Sequence, residues 1–476
     1  MLKNLDFLQK GKSFPPDSEQ DRMDRYRNNR MLFEDEHAEV YKEQFGRIER
    51  VIGNFRQVVS YTTVFNFQKL MTLKIADFIF GEPPEISIAD EELQDCIENI
   101  LSDTNFFGKM YMAAIDVSRY GDGIFQAYEH NGKADFDVFS PRYWFPVVDN
   151  NNIHKFLYHC FCTIYIIDSK REKYGLSVQI HKPDEPGRCE ERTYELDGKP
   201  GSFKIGKMLT KKGEPDMETK FNVCPVFRVS NTATSDRCFG IDDYSSVDSI
   251  ISELCIRVSQ VSKVLDKFSN PSISGPQSAL TWNDDLQRWE FKIADYYPRD
   301  EESDPKPEML VWDANLDANF KQIELLTNML YTISEMGSAV FGDISNSTGN
   351  VASGSALRRL MISPLAKAKR VRNGFDGVIK QLISILASGY GKTILPKDIS
   401  ITWQDGLPND PVEEASIMNI RTGGKATMSV TRAIKQFDGL SEKDTMKELE
   451  LIEADEIAAT AGEIPVNEPE DTVVDE

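Results

Sequence analysis

Three long amphipathic segments between Gly240 and Tyr390 constrain this chain more than any other feature. The first carries Ile241, Tyr244, Val247, Ile250, Ile251, Leu254, Val258, Val261 and Leu265 at three- and four-residue steps, which predicts a helix with one apolar face. The second repeats the pattern with Phe320, Ile323, Leu326, Leu330, Ile333 and Met336. A small β-rich insert, Asn270 to about Asn315, separates the two, and a polar loop, Phe341–Gly354, leads to the third. That segment runs from Ser355 to Ala387 through Leu357, Leu360, Leu365, Ala368, Val371, Phe375, Val378 and Leu382. As a helix it would reach roughly 50 Å at about 1.5 Å per residue. Such length with apolar rows calls for packing against neighbours, other subunits among them.

At 476 residues the chain has room for two or three domains, and its 28% charged and 40% hydrophobic residues fit a soluble globular protein. Phe65–Phe80, the most apolar run, is broken by Asn66, Gln68, Lys69, Lys74 and Asp77, so no membrane span is expected. The N-terminus reads without a signal-peptide core, and seven scattered cysteines read as reduced thiols. A net charge of −22 argues against a protein that grips DNA or anionic membrane, which needs clustered Lys and Arg. It leaves room for one that DNA slides past, because a wall that repels phosphate holds no register on the duplex.

In chain order, residues 1–60 read as polar and helical, with alternating charges over Asp21–Arg50. Phe65–Phe80 is an amphipathic helix stopped by Gly81 and Pro83-Pro84, followed by helices at Glu91–Leu101 and Phe106–Ser118. From Ile124 to about Val229 the period becomes two, with hairpin signals at Asn131-Gly132 and Asp197-Gly198 and strands at Phe156–Ile167, Val178–His181 and Phe203–Ile205. A mostly antiparallel β region between helical segments makes the class α+β. The insert holds Leu280–Trp282, a strand with Trp289, Phe291 and Ile293 on one face, and Met309–Trp312; so few strands need a partner surface. Helices at Val412–Arg421, Ser429–Phe437 and Glu442–Ala459 form a small C-terminal domain, and the acidic tail 462–476 reads as disordered.

Several residues invite chemistry and are weighed against plainer roles. His154, His159, Cys160 and Cys162 lack zinc-site spacing, and period two puts Cys160 and Cys162 on one face with Tyr158 and Ile164 as core side chains. Gly389-Tyr-Gly-Lys-Thr393 looks like the end of a phosphate-binding loop, but position 386 is Leu where that motif needs Gly, so it reads as a helix C-cap. No nucleophile elbow with a His and acid is present, so neither catalysis nor a cofactor is expected. Arg358, Arg359, Lys367, Lys369, Arg370 and Arg372 form the basic cluster of note, read as an ion-pair face or a channel lining. Trp282, Trp289 and Trp312 are either packing core or partner anchors.

Seven local patterns stand out in chain order: Asn66–Gly81 with Glu82-Pro-Pro; Ser118-Arg-Tyr-Gly-Asp-Gly123; Ser140-Pro-Arg-Tyr-Trp-Phe-Pro-Val-Val-Asp149; Pro225-Val-Phe-Arg-Val-Ser-Asn231; Gly240-Ile-Asp-Asp-Tyr244; Ser353-Gly-Ser-Ala-Leu357 with Pro364; and Trp403-Gln-Asp-Gly-Leu-Pro-Asn-Asp410 with Glu413-Glu414. These patterns and the order of segments resemble the portal proteins of long-tailed bacteriophages.

The resemblance implies an α+β portal fold: wing 1–239, stem helices 240–269 and 316–341, clip 270–315, tunnel loop 342–354, long kinked helix and return strand 355–404, and crown 405–461. It implies a homo-oligomeric ring, typically a dodecamer, at one capsid vertex. The ring would nucleate procapsid assembly with scaffolding and major capsid proteins, in the host cytoplasm and then in the virion. It would dock the terminase large subunit, pass double-stranded DNA without reading sequence, and later hold a head–tail connector. The motor ATPase would be a separate chain. On this reading Asp343, Ser345, Asn346, Ser347, Thr348 and Asn350 line the DNA channel. Trp282, Trp289, Phe291 and Trp312 form the clip interface, and Arg358, Arg359, Lys369 and Arg372 pair with a neighbour or face the channel. The competing readings are a nucleotide-dependent enzyme using Gly389–Thr393 and a helical scaffold unrelated to phage.

Overall fold

The computed structural model describes residues 1–45, 63–130, 132–210, 217–219, 221–269, 272–274, 280–285, 287–291, 308–310, 316–342, 358–404, 411–423, 425–437, 440 and 442–461. Its longer helices are α1 (Gln20–Phe33), α2 (Phe67–Phe80), α3 (Glu91–Asp103), α4 (Phe106–Tyr120), α5 (Asp248–Ser269), α6 (Leu316–Ile333), α7 (Ile362–Gly389), α8 (Pro411–Thr422), α9 (Val430–Phe437) and α10 (Glu442–Ala461). Its strands are β1 (Ser13–Phe14), β2 (Glu85–Ser87), β3 (Asp122–His130), β4 (Lys133–Phe139), β5 (Trp144–Val148), β6 (Phe156–Asp168), β7 (Lys173–His181), β8 (Arg188–Asp197), β9 (Phe203–Met208), β10 (Met217–Glu218), β11 (Val226–Ser230), β12 (Ser272–Ser274), β13 (Leu280–Asn283), β14 (Arg288–Phe291), β15 (Glu308–Leu310) and β16 (Ser400–Thr402). The chain divides into two compact units: residues 1–346 with 360–406, and residues 347–359 with 407–476.

In the first unit the expected antiparallel β region splits into two sheets. One has seven strands in the order β1-β9-β8-β7-β6-β5, with β10 on β8. The other is β11-β3-β4, in which His130 pairs with Lys133 across a tight turn and Gly132 takes φ +81°, as the Asn-Gly signal requires. On this three-stranded sheet lie α4 and α7, and α2 packs across those two helices. They share one core of Met71, Ile75, Ile79, Met110, Ala114, Val117, Phe125, Phe136, Phe375, Ile379, Leu382 and Leu386. The small return strand also forms, β16 pairing with β2.

Residues 1–16 differ from the helical expectation. Leu2 bridges to Val147, Ser13–Phe14 pairs with β9, and Leu2, Phe7, Leu8 and Phe14 fill the large sheet's core beside Phe145, Cys160, Cys162, Val178 and Ile205. Cys160 and Cys162 are therefore core residues, but Ile164, expected with them, is 41% exposed. Six of the seven cysteines are buried, with Cys224 half-buried, and all are free thiols.

The first amphipathic segment also starts later than its apolar pattern. Asp242 accepts hydrogen bonds from the backbone N–H of Tyr244 (3.0 Å) and Ser245 (2.8 Å), holding a turn so that α5 begins only at Asp248. The helices α5 and α6 pack as a hairpin whose far end carries two two-stranded ribbons, β12–β15 and β13–β14. Cover is uneven along the hairpin. Val247, Ile251, Leu254, Cys255, Leu330 and Met336 are buried near its root, whereas Leu265 and Phe320 towards the insert are exposed. Leu325, Met329 and Ile333 form a bare apolar row on α6, at i, i+4, i+8. The third segment becomes α7, whose Pro364 lies in the first turn, where its missing N–H costs no helical bond.

In the second unit, α8, α9 and α10 pack in sequence around Met428, Ala433 and Ile434.

Candidate functional site

Three of the sequence patterns, distant in the chain, meet at the root of the α5–α6 hairpin. Asp122, at the start of β3, is fully buried and accepts from Arg228 Nε (2.7 Å), Ser230 Oγ (3.2 Å) and the Gly240 N–H (3.1 Å). Gly121 ends α4 at φ +87°, and its carbonyl accepts from the Asn231 N–H at 2.9 Å. The Gly121 and Gly240 backbones abut so closely that a Cβ on either would overlap the other's carbonyl oxygen. So Gly-Asp-Gly123, Arg228–Asn231 and Gly240–Tyr244 form one joint.

Two cations fasten that joint to other helices. Lys367 on α7 places Nζ 2.9 Å from Asp243 Oδ1 and donates to the Ser334 carbonyl, just past α6, at 3.0 Å. Asp243 also accepts from Asn231 Nδ2 at 2.9 Å, and its own N–H donates to the Ser118 carbonyl. Arg25 on α1 forks between Asp242 (2.9 Å) and Asp248 (2.7 Å). Burial works against the Arg25 charge, but the two carboxylates outweigh it and hold its pKa above the ordinary value. Burial pushes the Asp248 carboxyl up, with Arg25 and Gln68 acting the other way. Asp248 also opens α5, where a carboxylate complements the helix dipole. These charges are spent on holding one helix root. Sequence reasoning missed Asp122, Asp243, Lys367 and Arg25 as a set; the signal was an acid close to a glycine in two separate patterns, Gly121-Asp122 and Gly240-Ile-Asp-Asp243.

The other expected site residues fare variously. Asp343, Ser345, Asn346, Ser347, Thr348, Asn350 and Trp312 lie outside the described residues. Trp282 is 40% exposed on β13, and the register sets it opposite Trp289, with Phe291 opposite Leu280. Arg358, Arg359 and Lys369 are exposed. Arg372 has partners within its own chain: it donates to the Phe78 carbonyl and its guanidinium lies 5.3 Å from the Trp403 ring centre. Arg370 likewise pairs with Glu335.

His154 donates to the Ser235 carbonyl at 3.2 Å, and His159 Nδ1 accepts the indole N–H of Trp144 at 3.2 Å. Burial, with smaller effects from His181 and Arg228, depresses His159 to about 3. Among the described residues no group of three His, Cys, Asp or Glu could hold a metal ion. Gly389 is the last residue of α7, pressed on Ala134, and Gly391 takes φ +70°, the left-handed conformation of a helix end. Lys392 pairs with Glu92 at 2.9 Å. Among the described residues no helix is long and apolar enough to cross a membrane.

No curated protein sequence matches the chain. Among solved structures, the neck of an empty gene transfer agent particle computed with C6 symmetry is similar, at TM-score 0.46 and 12% identity over 79% of this chain and 90% of that one. The neck of a native particle with C12 symmetry gives 0.43, 10%, 78% and 89%, and a native virion gives 0.42, 11%, 79% and 88%. The family described as phage portal protein, SPP1 Gp6-like, matches residues 17–461, which takes in the joint, the hairpin, the long helix and the C-terminal helices. The chain therefore belongs to the SPP1 Gp6-like family of phage portal proteins.

Proposed function

We propose that this portal protein closes into a ring, typically a dodecamer in such proteins, at one vertex of a phage capsid. Double-stranded DNA passes through the ring during packaging and ejection. The observation that carries the reading is the α5–α6 hairpin, buried at its root and bare along Leu325, Met329 and Ile333 and at Leu265 and Phe320. An apolar row left uncovered on a helix calls for a neighbour, and identical copies around a ring supply one at every position. The net charge of −22 suits a conduit, because a predominantly acidic chain repels phosphate and holds the duplex in no fixed register.

In this reading the hairpin is the stem and 270–315 is the clip, whose ribbons are completed by adjacent copies and meet first the terminase motor and later the head–tail connector. Trp282, Trp289, Phe291 and Trp312 serve that interface. Residues 342–354 form the tunnel loop, with Asp343, Ser345, Asn346, Ser347, Thr348 and Asn350 towards the duplex; 405–461 forms the crown; Arg358, Arg359 and Lys369 serve subunit contacts or the channel. Scaffolding and major capsid proteins meet the ring as it nucleates the procapsid in the host cytoplasm. The portal is a conduit, and a separate ATPase does the pumping.

The test is microscopy of purified full-length protein, alone and after assembly with its capsid proteins. Rings with a central hole are expected, and a protein that stays a monodisperse monomer in both settings would overturn the reading.

A further inference from the structure

The distal half of β6 is an uncovered apolar edge. From Thr163 to Ile167 every residue is exposed, with Ile164 at 41%, Tyr165 at 37%, Ile166 at 61% and Ile167 at 43%. The neighbouring strand β5 accompanies β6 only as far as the Trp144–Phe161 pair. Beyond that point β6 has β7 on one side and, among the described residues, no strand on the other. Soluble proteins blunt such edges with Lys, Pro or a bulge, because the unpaired N–H and C=O groups template another strand. Thr163-Ile-Tyr-Ile-Ile167 carries no charge and no proline, and its irregularity comes only at the end, between Ile166 and Asp168. Tyr165 lies over Gly175 of β7, so that strand is stiffened from the paired side.

Two features beside the edge give it selectivity. A groove of about 460 Å³ lies against Thr163 and Ile164, walled by Phe14, Met23, Tyr143 and Phe145. Three cations bracket the edge: Arg142 in the groove wall, and exposed Lys170 and Lys173 at the β6–β7 turn. None of the three has an acid within ion-pair distance among the described residues, in a chain with 77 acids to 55 bases. The acids nearby pair elsewhere or stand beside the cations without an ion pair: Asp24 pairs with Arg27 at 3.2 Å, Asp168, opposite Lys173 in the register, pairs with Arg171 at 3.8 Å, and Glu172 shares the turn. Cations left unpaired where acids abound point to carboxylates supplied from outside.

We propose that β6 from Cys162 to Asp168 is a docking edge for an extended segment of a partner protein, which adds to the large sheet as a strand. The segment would have β-branched or aromatic residues at its centre and carboxylates at both ends. Main-chain hydrogen bonds give the affinity, the groove takes one apolar side chain, and Arg142 and Lys170 with Lys173 fix the two acidic ends. This surface is independent of the ring reading, since it lies on the large sheet and not on the hairpin.

The test uses the full chain and a fluorescent peptide, Glu-Glu-Val-Thr-Val-Tyr-Val-Glu-Glu, with a second version N-methylated at alternate amides. Anisotropy should show binding of the first, weakened about tenfold or more by methylation, by Ile164→Glu with Ile166→Glu, and by Lys170→Glu with Lys173→Glu. Methylation removes backbone donors and leaves the protein untouched, so that comparison stands even if a variant folds poorly. No binding of the unmodified peptide, equal binding of both peptides, or binding unaffected by the substitutions would overturn the proposal. So would loss of self-association in the Ile164→Glu, Ile166→Glu variant without any change in peptide binding, which would assign the edge to a second copy.

Discussion

The Lys367 ammonium lies 2.9 Å from Asp243 Oδ1, and both side chains are more than nine-tenths buried. One cation on the long helix thus holds the residues leading into α5 and, through the Ser334 carbonyl, the end of α6. Removing one partner of a buried pair leaves the other charge unmatched, at a cost of about 3–5 kcal/mol. Lys367→Met should therefore lower stability by that order in urea unfolding. Adding Asp243→Asn should recover part of the loss, and additive losses would mean the pair is not coupled.

Gly240→Ala should destabilise the fold by about 2 kcal/mol or more, because its Cβ would meet the Gly121 carbonyl in a joint already fixed by Asp122. Gly132→Ala, with open space around its Cβ position, should cost less. Thermal denaturation of the two variants compares them directly.

His159 and His181 are both held neutral, pushed down to about 3 and about 4 chiefly by burial. The unfolded chain binds these protons near pH 6.5 while the folded chain refuses them, so the unfolded state holds more protons throughout the interval below. Stability should be full above about pH 6.5 and fall as pH drops towards 4, by about 1.4 kcal/mol per unit for each histidine. Denaturant titrations from pH 7 to 5 measure the slope, which His181→Gln should reduce by about half of the histidine share.

Leu325→Asp with Met329→Asp places two carboxylates on the bare row of α6. Both side chains are exposed, so the monomer should keep its stability within about 0.5 kcal/mol. Ring formation, read by light scattering or microscopy, should fail. Rings of normal size would show that this row does not pack a neighbour.

Replacing residues 343–350 by a Gly-Ser linker should leave rings intact and stall DNA packaging in a complementation assay. Packaging at the parental level would remove the proposed role of Asp343, Ser345, Asn346, Ser347, Thr348 and Asn350.

What was legible in the sequence is what local spacing determines. The helix ending at Phe80 before Gly81, the hairpin at Gly132, the hairpin of two amphipathic helices and the helix end at Gly389 all declare themselves within a few residues. Long-range pairing did not. Leu2 and Phe14 join a sheet whose other strands lie well over a hundred residues away, and no local period announces it. The start of α5 was misplaced because apolar spacing continues through Ile241 and Tyr244, while the Asp242 carboxylate holds that stretch in a turn. The joint itself was half visible: its glycines and acids stood in the quoted patterns, but which acid meets Arg228, Lys367 or Arg25 depends on three-dimensional proximity alone.

The seven free cysteines carry a practical consequence. Burial pushes the thiols of Cys96, Cys160, Cys162, Cys224, Cys238 and Cys255 up, which slows their reaction with alkylating reagents at neutral pH. A new cysteine at an exposed position such as Leu325 would outrun them all. Spectroscopic labels could then be placed on the hairpin of the otherwise native chain, and distances between copies measured in whatever assembly it forms.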